Sequence, residues 1–126
     1  MTTNKDLTIG LVGVCAAGKS TLRKRLQARS YKVRHIAQEH SFVGDMWRRV
    51  ANPDVLVFLD ASYEVTLKRR NLNWKRADYD EQQRRLAHAR ENADFYLHTD
   101  ELSPEEVEER VVAFLDMYHR LCTALP

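Results

Sequence analysis

The chain has 126 residues, of which 44% are apolar and 30% charged, and its formal net charge is +2 at pH 7. This length suits one compact domain with a real core, residues 1–126, and not two. So small a charge excludes nucleic-acid or membrane-surface binding driven by bulk electrostatics. Apolar runs of about half a dozen residues are far too short for a membrane span, and two cysteines make no disulfide framework.

The polar start, Met1–Asp6, has no signal-peptide core, which points to a reduced, cytoplasmic protein. Leu7–Val12 is mostly apolar and predicts a buried parallel strand. Gly13-Val14-Cys15-Ala16-Ala17-Gly18-Lys19-Ser20-Thr21 follows, with glycines, lysine and serine at the spacing of a phosphate cradle. Glycines let the backbone curl so that N–H groups converge on phosphate oxygens. The lysine adds a charge, and the serine hydroxyl can ligate Mg²⁺. Cys15 sits where a helix N-terminus and Lys19 can lower a thiol pKa, but its place is read chiefly as loop geometry. A helix over about Lys19–Arg29 adds its positive N-terminal end to the anion site.

Tyr31–Ala37 reads as a second strand, with Val33 and His35 or Ile36 inward. Gln38–Ala51 holds one short helix from Val43 or Asp45, ended by Asn52-Pro53-Asp54. Trp47 is read as core. Val55–Leu59, the most hydrophobic run, predicts a central strand ending at Asp60. Ser62 caps a helix to about Arg70, and Asn71–Ala77 is a polar connector in which Trp74 is a packing anchor. Asp78 with Glu81 resembles a capping box for an arginine-rich helix to about Asn92. Phe95–Thr99 is a fourth strand. Ser103-Pro104-Glu105-Glu106 starts a last helix, whose apolar face is Val107, Val111, Phe114, Leu115, Tyr118 and Cys122. This alternation predicts an α/β protein with a parallel sheet, whose active edge lies beyond the strands' carboxyl ends. Gly13, Gln38–His40, Asp60 and Thr99–Asp100 should meet there.

Three segments carry a family resemblance: the loop 13–21, the stretch Asn52–Arg70, and the arginine-bearing helix followed by Ala93-Asp94, a strand and a helix. Together they resemble the nucleotide-kinase branch of the P-loop superfamily, which includes thymidylate, adenylate, shikimate and dephospho-coenzyme A kinases. Glu39-His40-Ser41 resembles the Glu-Arg-Ser motif of deoxynucleoside and thymidylate kinases, with a histidine replacing the arginine. The chain is shorter than its models between the first helix and the Glu39 cluster. The expected fold is therefore a three-layer P-loop NTPase fold reduced to a four-stranded parallel sheet of order 2-1-3-4.

The resemblance implies an ATP-dependent phosphotransferase acting on a small-molecule acceptor, with ATP and Mg²⁺ as cofactors. Residues Gly13, Val14, Cys15, Ala16, Ala17, Gly18, Lys19, Ser20 and Thr21 would hold the nucleoside triphosphate. Lys19 would bridge its outer phosphates, Thr21 would take the α-phosphate, and Ser20 would ligate Mg²⁺. Either Glu39 or Asp60 would hold the metal as well. Glu39 could instead be the base, and Asp60 a helix cap or a support for the loop. The segment from about residue 68 to 92 resembles a lid. Among its arginines Arg70, Arg76 and Arg85 are expected at the nucleotide, Arg70 and Arg76 beside Lys19 and Glu39 in the catalytic set. Lys19 is expected to be exposed in the empty loop, so that its replacement spares the fold. The acceptor site would be small, borrowed from the second subunit of a homodimer, or absent. The alternative reading is a nucleotide-binding or NTPase module with a signalling or assembly role. A GTPase switch is disfavoured, because Asn4-Lys5-Asp6 precedes the loop instead of following a later strand.

Overall fold

Apolar strands separated by helices can bury both faces of a parallel sheet, and this chain does so. The computed structural model describes residues 4–70 and 73–124. Its elements run β1 (Thr8–Gly13), α1 (Lys19–Ala28), β2 (Lys32–His35), α2 (Met46–Val50), β3 (Val55–Asp60), α3 (Tyr63–Arg70), α4 (Arg76–Arg85), α5 (Ala87–Asn92), β4 (Phe95–His98) and α6 (Pro104–Ala124). The sheet has the order β2-β1-β3-β4, with every pair parallel. This is the flanked four-stranded architecture the sequence predicts. Short 3₁₀ turns cover Asn4–Asp6 and Gln38–His40.

β1 and β3 form the centre. Ile9, Leu11, Val12, Leu56, Phe58 and Leu59 are buried there between helices on both faces. Two carboxylates tie the strands' entries: Asp54 accepts from the Thr8 amide and Asp94 from the Leu56 amide, each at 2.8 Å. At the other end β1 must pass very close to β3. A Cβ on Gly13 would lie 2.0 Å from the Leu59 carbonyl oxygen, and Gly13 has φ +154°. Only glycine fits, and the loop that follows starts from this point.

Several boundaries depart from the sequence reading. In β2, Val33 is half-buried and His35 exposed, while the buried Ile36 lies just past the strand. α4 begins at Arg76, not Asp78: Asp78 is its third residue and accepts from the Lys75 amide at 3.0 Å. Glu81 pairs with Arg84 and Arg85 instead of capping. The single helix expected to Asn92 bends at Leu86. There the buried Gln38 side-chain amide donates to the Arg85 carbonyl at 3.2 Å. Asn71 and Leu72 of the expected connector lie outside the described residues. Trp74 packs against Tyr63 and Tyr79.

α6 starts as its capping box dictates, Glu106 and Ser103 exchanging side-chain-to-amide bonds at 3.0 and 3.1 Å. Its acidic first turns hold α1 through Arg25–Glu105, Arg25–Glu108 and Arg29–Glu108 pairs. No helix among the described residues is long and apolar enough to cross a membrane.

Candidate phosphate-binding cleft

The carboxyl ends of β1, β2 and β4 open onto a cleft of about 720 Å³. Its floor is the loop from Cys15 to Ser20 and the first turn of α1. The helix begins abruptly: Gly18 is its N-cap in the left-handed region, no side chain caps it, and the Leu22 amide makes the bond to Gly18 O at 3.0 Å. The amides of Lys19, Ser20 and Thr21 therefore precede the regular helix ladder. The macrodipole adds partial positive charge at the same place.

Lys19 is 6% exposed. Its ammonium donates to the Gly13 carbonyl, to Val14 O at 3.3 Å and to Glu39 Oε2 at 2.6 Å. The sequence reading had it exposed; instead it closes the loop on itself. Glu39 is 4% exposed and comes from the 3₁₀ turn after β2, which no helix or strand periodicity announces. Its second oxygen, Oε1, is buried without a hydrogen-bond partner.

Five residues outside the sequence-derived site set build the surroundings. Arg69 donates to Ala16 O at 3.2 Å and to Thr99 Oγ1 at 2.8 Å, as well as to the Thr99 carbonyl, so it clips the loop to the end of β4. Thr99 Oγ1 also lies 3.0 Å from Ala17 O. Gln82 of α4 accepts from the Cys15 amide at 3.0 Å and donates to Cys15 Sγ at 3.2 Å. His35 lines the cleft, and burial followed by the Lys19 ammonium lowers its pKa below the ordinary histidine value. His40 Nε2 sits 4.0 Å from Cys15 Sγ.

The expected site residues divide. Cys15, Ala16, Ala17, Gly18, Lys19, Ser20, Thr21, Glu39 and Arg70 line the cleft. Gly13 and Val14 lie beneath it, giving their carbonyls to Lys19. Arg76 is elsewhere, exposed on α4, paired with Asp80 at 3.2 Å and stacked near Tyr63 and Tyr79. Arg85 pairs with Glu81 and lies over the exposed Phe42 ring. Asp60 is 7% exposed and faces another neighbourhood. It accepts from Tyr96 at 2.6 Å, Gln83 at 3.0 Å, Arg90 at 3.3 Å and the Ala61 amide at 3.0 Å. Burial and then that bond to Asp60 raise the Tyr96 pKa strongly. With its lone pairs taken, Asp60 does not join Ser20 and Glu39 in the octahedral oxygen set that Mg²⁺ demands.

No family model matches the chain, and no curated protein matches it. The fold is similar to the crystal structure of ribose-5-phosphate isomerase B from Giardia lamblia, with 14% identity and a TM-score of 0.49, covering 88% of this chain and 95% of that one. A likeness so distant assigns no activity here. None of these comparisons supports membership of the kinase branch, ATP-dependent phosphotransfer, the nucleotide-module alternative or the ATP and Mg²⁺ cofactors, and those expectations are withdrawn. What stands is the α/β architecture and the chemistry of its cleft.

Proposed function

We propose that residues 1–126 form one domain whose cleft binds a small phosphorylated molecule. The phosphate would sit on the amides at the start of α1, with Lys19 turning from the Gly13 and Val14 carbonyls to meet it. The body of the ligand would lie along the apolar wall of Leu22, Leu102, Pro104 and Val107. The observation that carries this reading is the buried Lys19 ammonium at the uncapped N-terminus of a helix. Charge supports it too: Lys19, Arg69 and Arg70 line the cleft against one acid, Glu39. The volume lies within the range of small-ligand sites.

Calorimetric titration with inorganic phosphate, and with phosphorylated metabolites paired with their dephosphorylated counterparts, tests this. The phosphorylated member of each pair that fits should bind alone, and Arg70→Ala, on the exposed rim, should weaken it. Loss of Lys19 should weaken it by about tenfold or more, the worth of one charge-assisted hydrogen bond. Equal binding of both members of every pair, or no binding of any phosphorylated compound, would contradict the proposal.

A further inference from the structure

Beside the loop lies a second constellation that phosphate binding does not use. Cys15 Sγ, His40 Nε2 and a carboxylate oxygen of Glu39 all lie within 4.8 Å of one another. The sulfur is 4.0 Å from His40 Nε2, which is 3.9 Å from Glu39 Oε2. We propose that these three side chains bind a divalent cation of the zinc class, leaving a fourth position open toward the cleft.

The donor set is the first reason. Thiolate, imidazole and carboxylate are together the ligands that borderline-soft cations select, and they do not suit Mg²⁺ or Ca²⁺. Three protein ligands with an open position make the arrangement of a reactive site, where a structural site would have four.

The second reason is independent of the donor types. Glu39 is 96% buried, since its exposure is 4%, and it lines the cleft. Lys19 satisfies Oε2, the oxygen 3.9 Å from His40 Nε2, while Oε1 has no partner. A buried carboxylate with one oxygen left so keeps acceptor capacity that a cation bound by Glu39 would use.

The supporting contacts agree. Gln82 is 7% exposed and fixes Cys15 from two sides, accepting from its amide and donating to its sulfur. That contact holds the sulfur in place beside His40. Tetrahedral zinc at its usual bond lengths sets ligand atoms about 3.4 Å apart. The two separations to His40 must therefore contract by roughly half an ångström, which the 61% exposed His40 side chain is free to do by turning, and Cys15 Sγ and the Glu39 carboxylate, up to 4.8 Å apart, must close by up to about 1.4 Å.

The test is Co²⁺ titration of the reduced full chain, followed by Zn²⁺ competition. Equimolar Co²⁺ should give a thiolate-to-metal charge-transfer band with visible bands of tetrahedral intensity, and Zn²⁺ should abolish both. Cys122 is exposed and outside the cleft, so Cys122→Ser should keep the band. Cys15→Ser should lose it, and His40→Ala should weaken affinity more than about tenfold. If Cys15→Ser does not fold, the exposed His40→Ala decides. Absence of the band in the unaltered chain, its survival in Cys15→Ser, its loss in Cys122→Ser, or unchanged affinity in His40→Ala would overturn the proposal. Phosphate titration of the same samples separates the two readings, because the backbone cradle can bind phosphate whether or not the metal site exists.

Discussion

Lys19 Nζ and Glu39 Oε2 lie 2.6 Å apart, and both side chains are buried at 6% and 5% exposure. One comes from the loop after β1, the other from the turn after β2. Breaking such a pair from one side strands an uncompensated charge, whereas removing both charges together does not. Glu39→Gln and Lys19→Met should each destabilise the fold by about 3 kcal/mol. The double variant should cost clearly less than their sum. Urea unfolding of the four proteins measures this, and additivity within about 0.5 kcal/mol would mean the pair is not coupled.

The two loop glycines should respond differently to alanine. At Gly13 the added Cβ meets the Leu59 carbonyl oxygen at 2.0 Å, and backbone must move. At Gly18 nothing lies within 4 Å, so only the φ of +105° opposes a side chain. Gly18→Ala should cost about 1–2 kcal/mol. Gly13→Ala should cost more than about 3 kcal/mol or prevent folding. Equal unfolding midpoints would contradict the close approach of β1 to β3.

His35 gives a pH signature. Partial desolvation of the ring and the Lys19 ammonium depress its folded pKa below the ordinary histidine value of 6.5. Its contribution is therefore complete above about pH 6.5 and is lost as pH falls through the folded value. In that window the unfolded chain binds the extra proton. His35→Gln should flatten the decline of stability on the acid side of neutrality, read from thermal melts at stepped pH. An unchanged slope would sink the assignment.

Tyr96 should act on the alkaline side. Its pKa is raised above the ordinary value of 10.0 by burial and by Asp60. The stabilisation is full below about pH 10 and falls as pH rises toward the folded pKa, because the unfolded tyrosine ionises first. Tyr96→Phe should cost about 1 kcal/mol near neutrality, the worth of one hydrogen bond on a partly exposed side chain. It should also make the alkaline loss of stability shallower. A slope equal to that of the unaltered chain would contradict the Tyr96–Asp60 link.

What the sequence disclosed follows from the range of its signals. The strands β1 and β3 and the capped start of α6 are written in consecutive residues, so periodicity and turn chemistry exposed them; alternation pointed to a parallel sheet, while its order was expected from the family resemblance. The glycine-lysine-serine loop was equally local. Long-range partnerships were not readable. Lys19 was placed correctly in the loop, but its burial depends on a glutamate in a turn that no period marks. Cys15 and Gln82 are bonded across 67 positions. Arg69 and Arg70 are adjacent, and only the rotation of α3 decides that Arg69 clips the loop while Arg70 stands at the rim. Asp60 follows a strand end as a cleft acid should, yet its carboxylate turns to Tyr96 and Arg90. The kinase family was inferred from the loop and flanking patterns, and such patterns recur on folds of unrelated activity.

The central claim is that the start of α1 and Lys19 receive a phosphate group. Amide chemical-shift mapping of the isotope-labelled chain during titration with inorganic phosphate tests it most directly. The account expects saturable shifts concentrated in the amides of residues 14–21, reduced in Lys19→Met. Saturable shifts confined to another surface, or none in that loop at saturating phosphate, would contradict it.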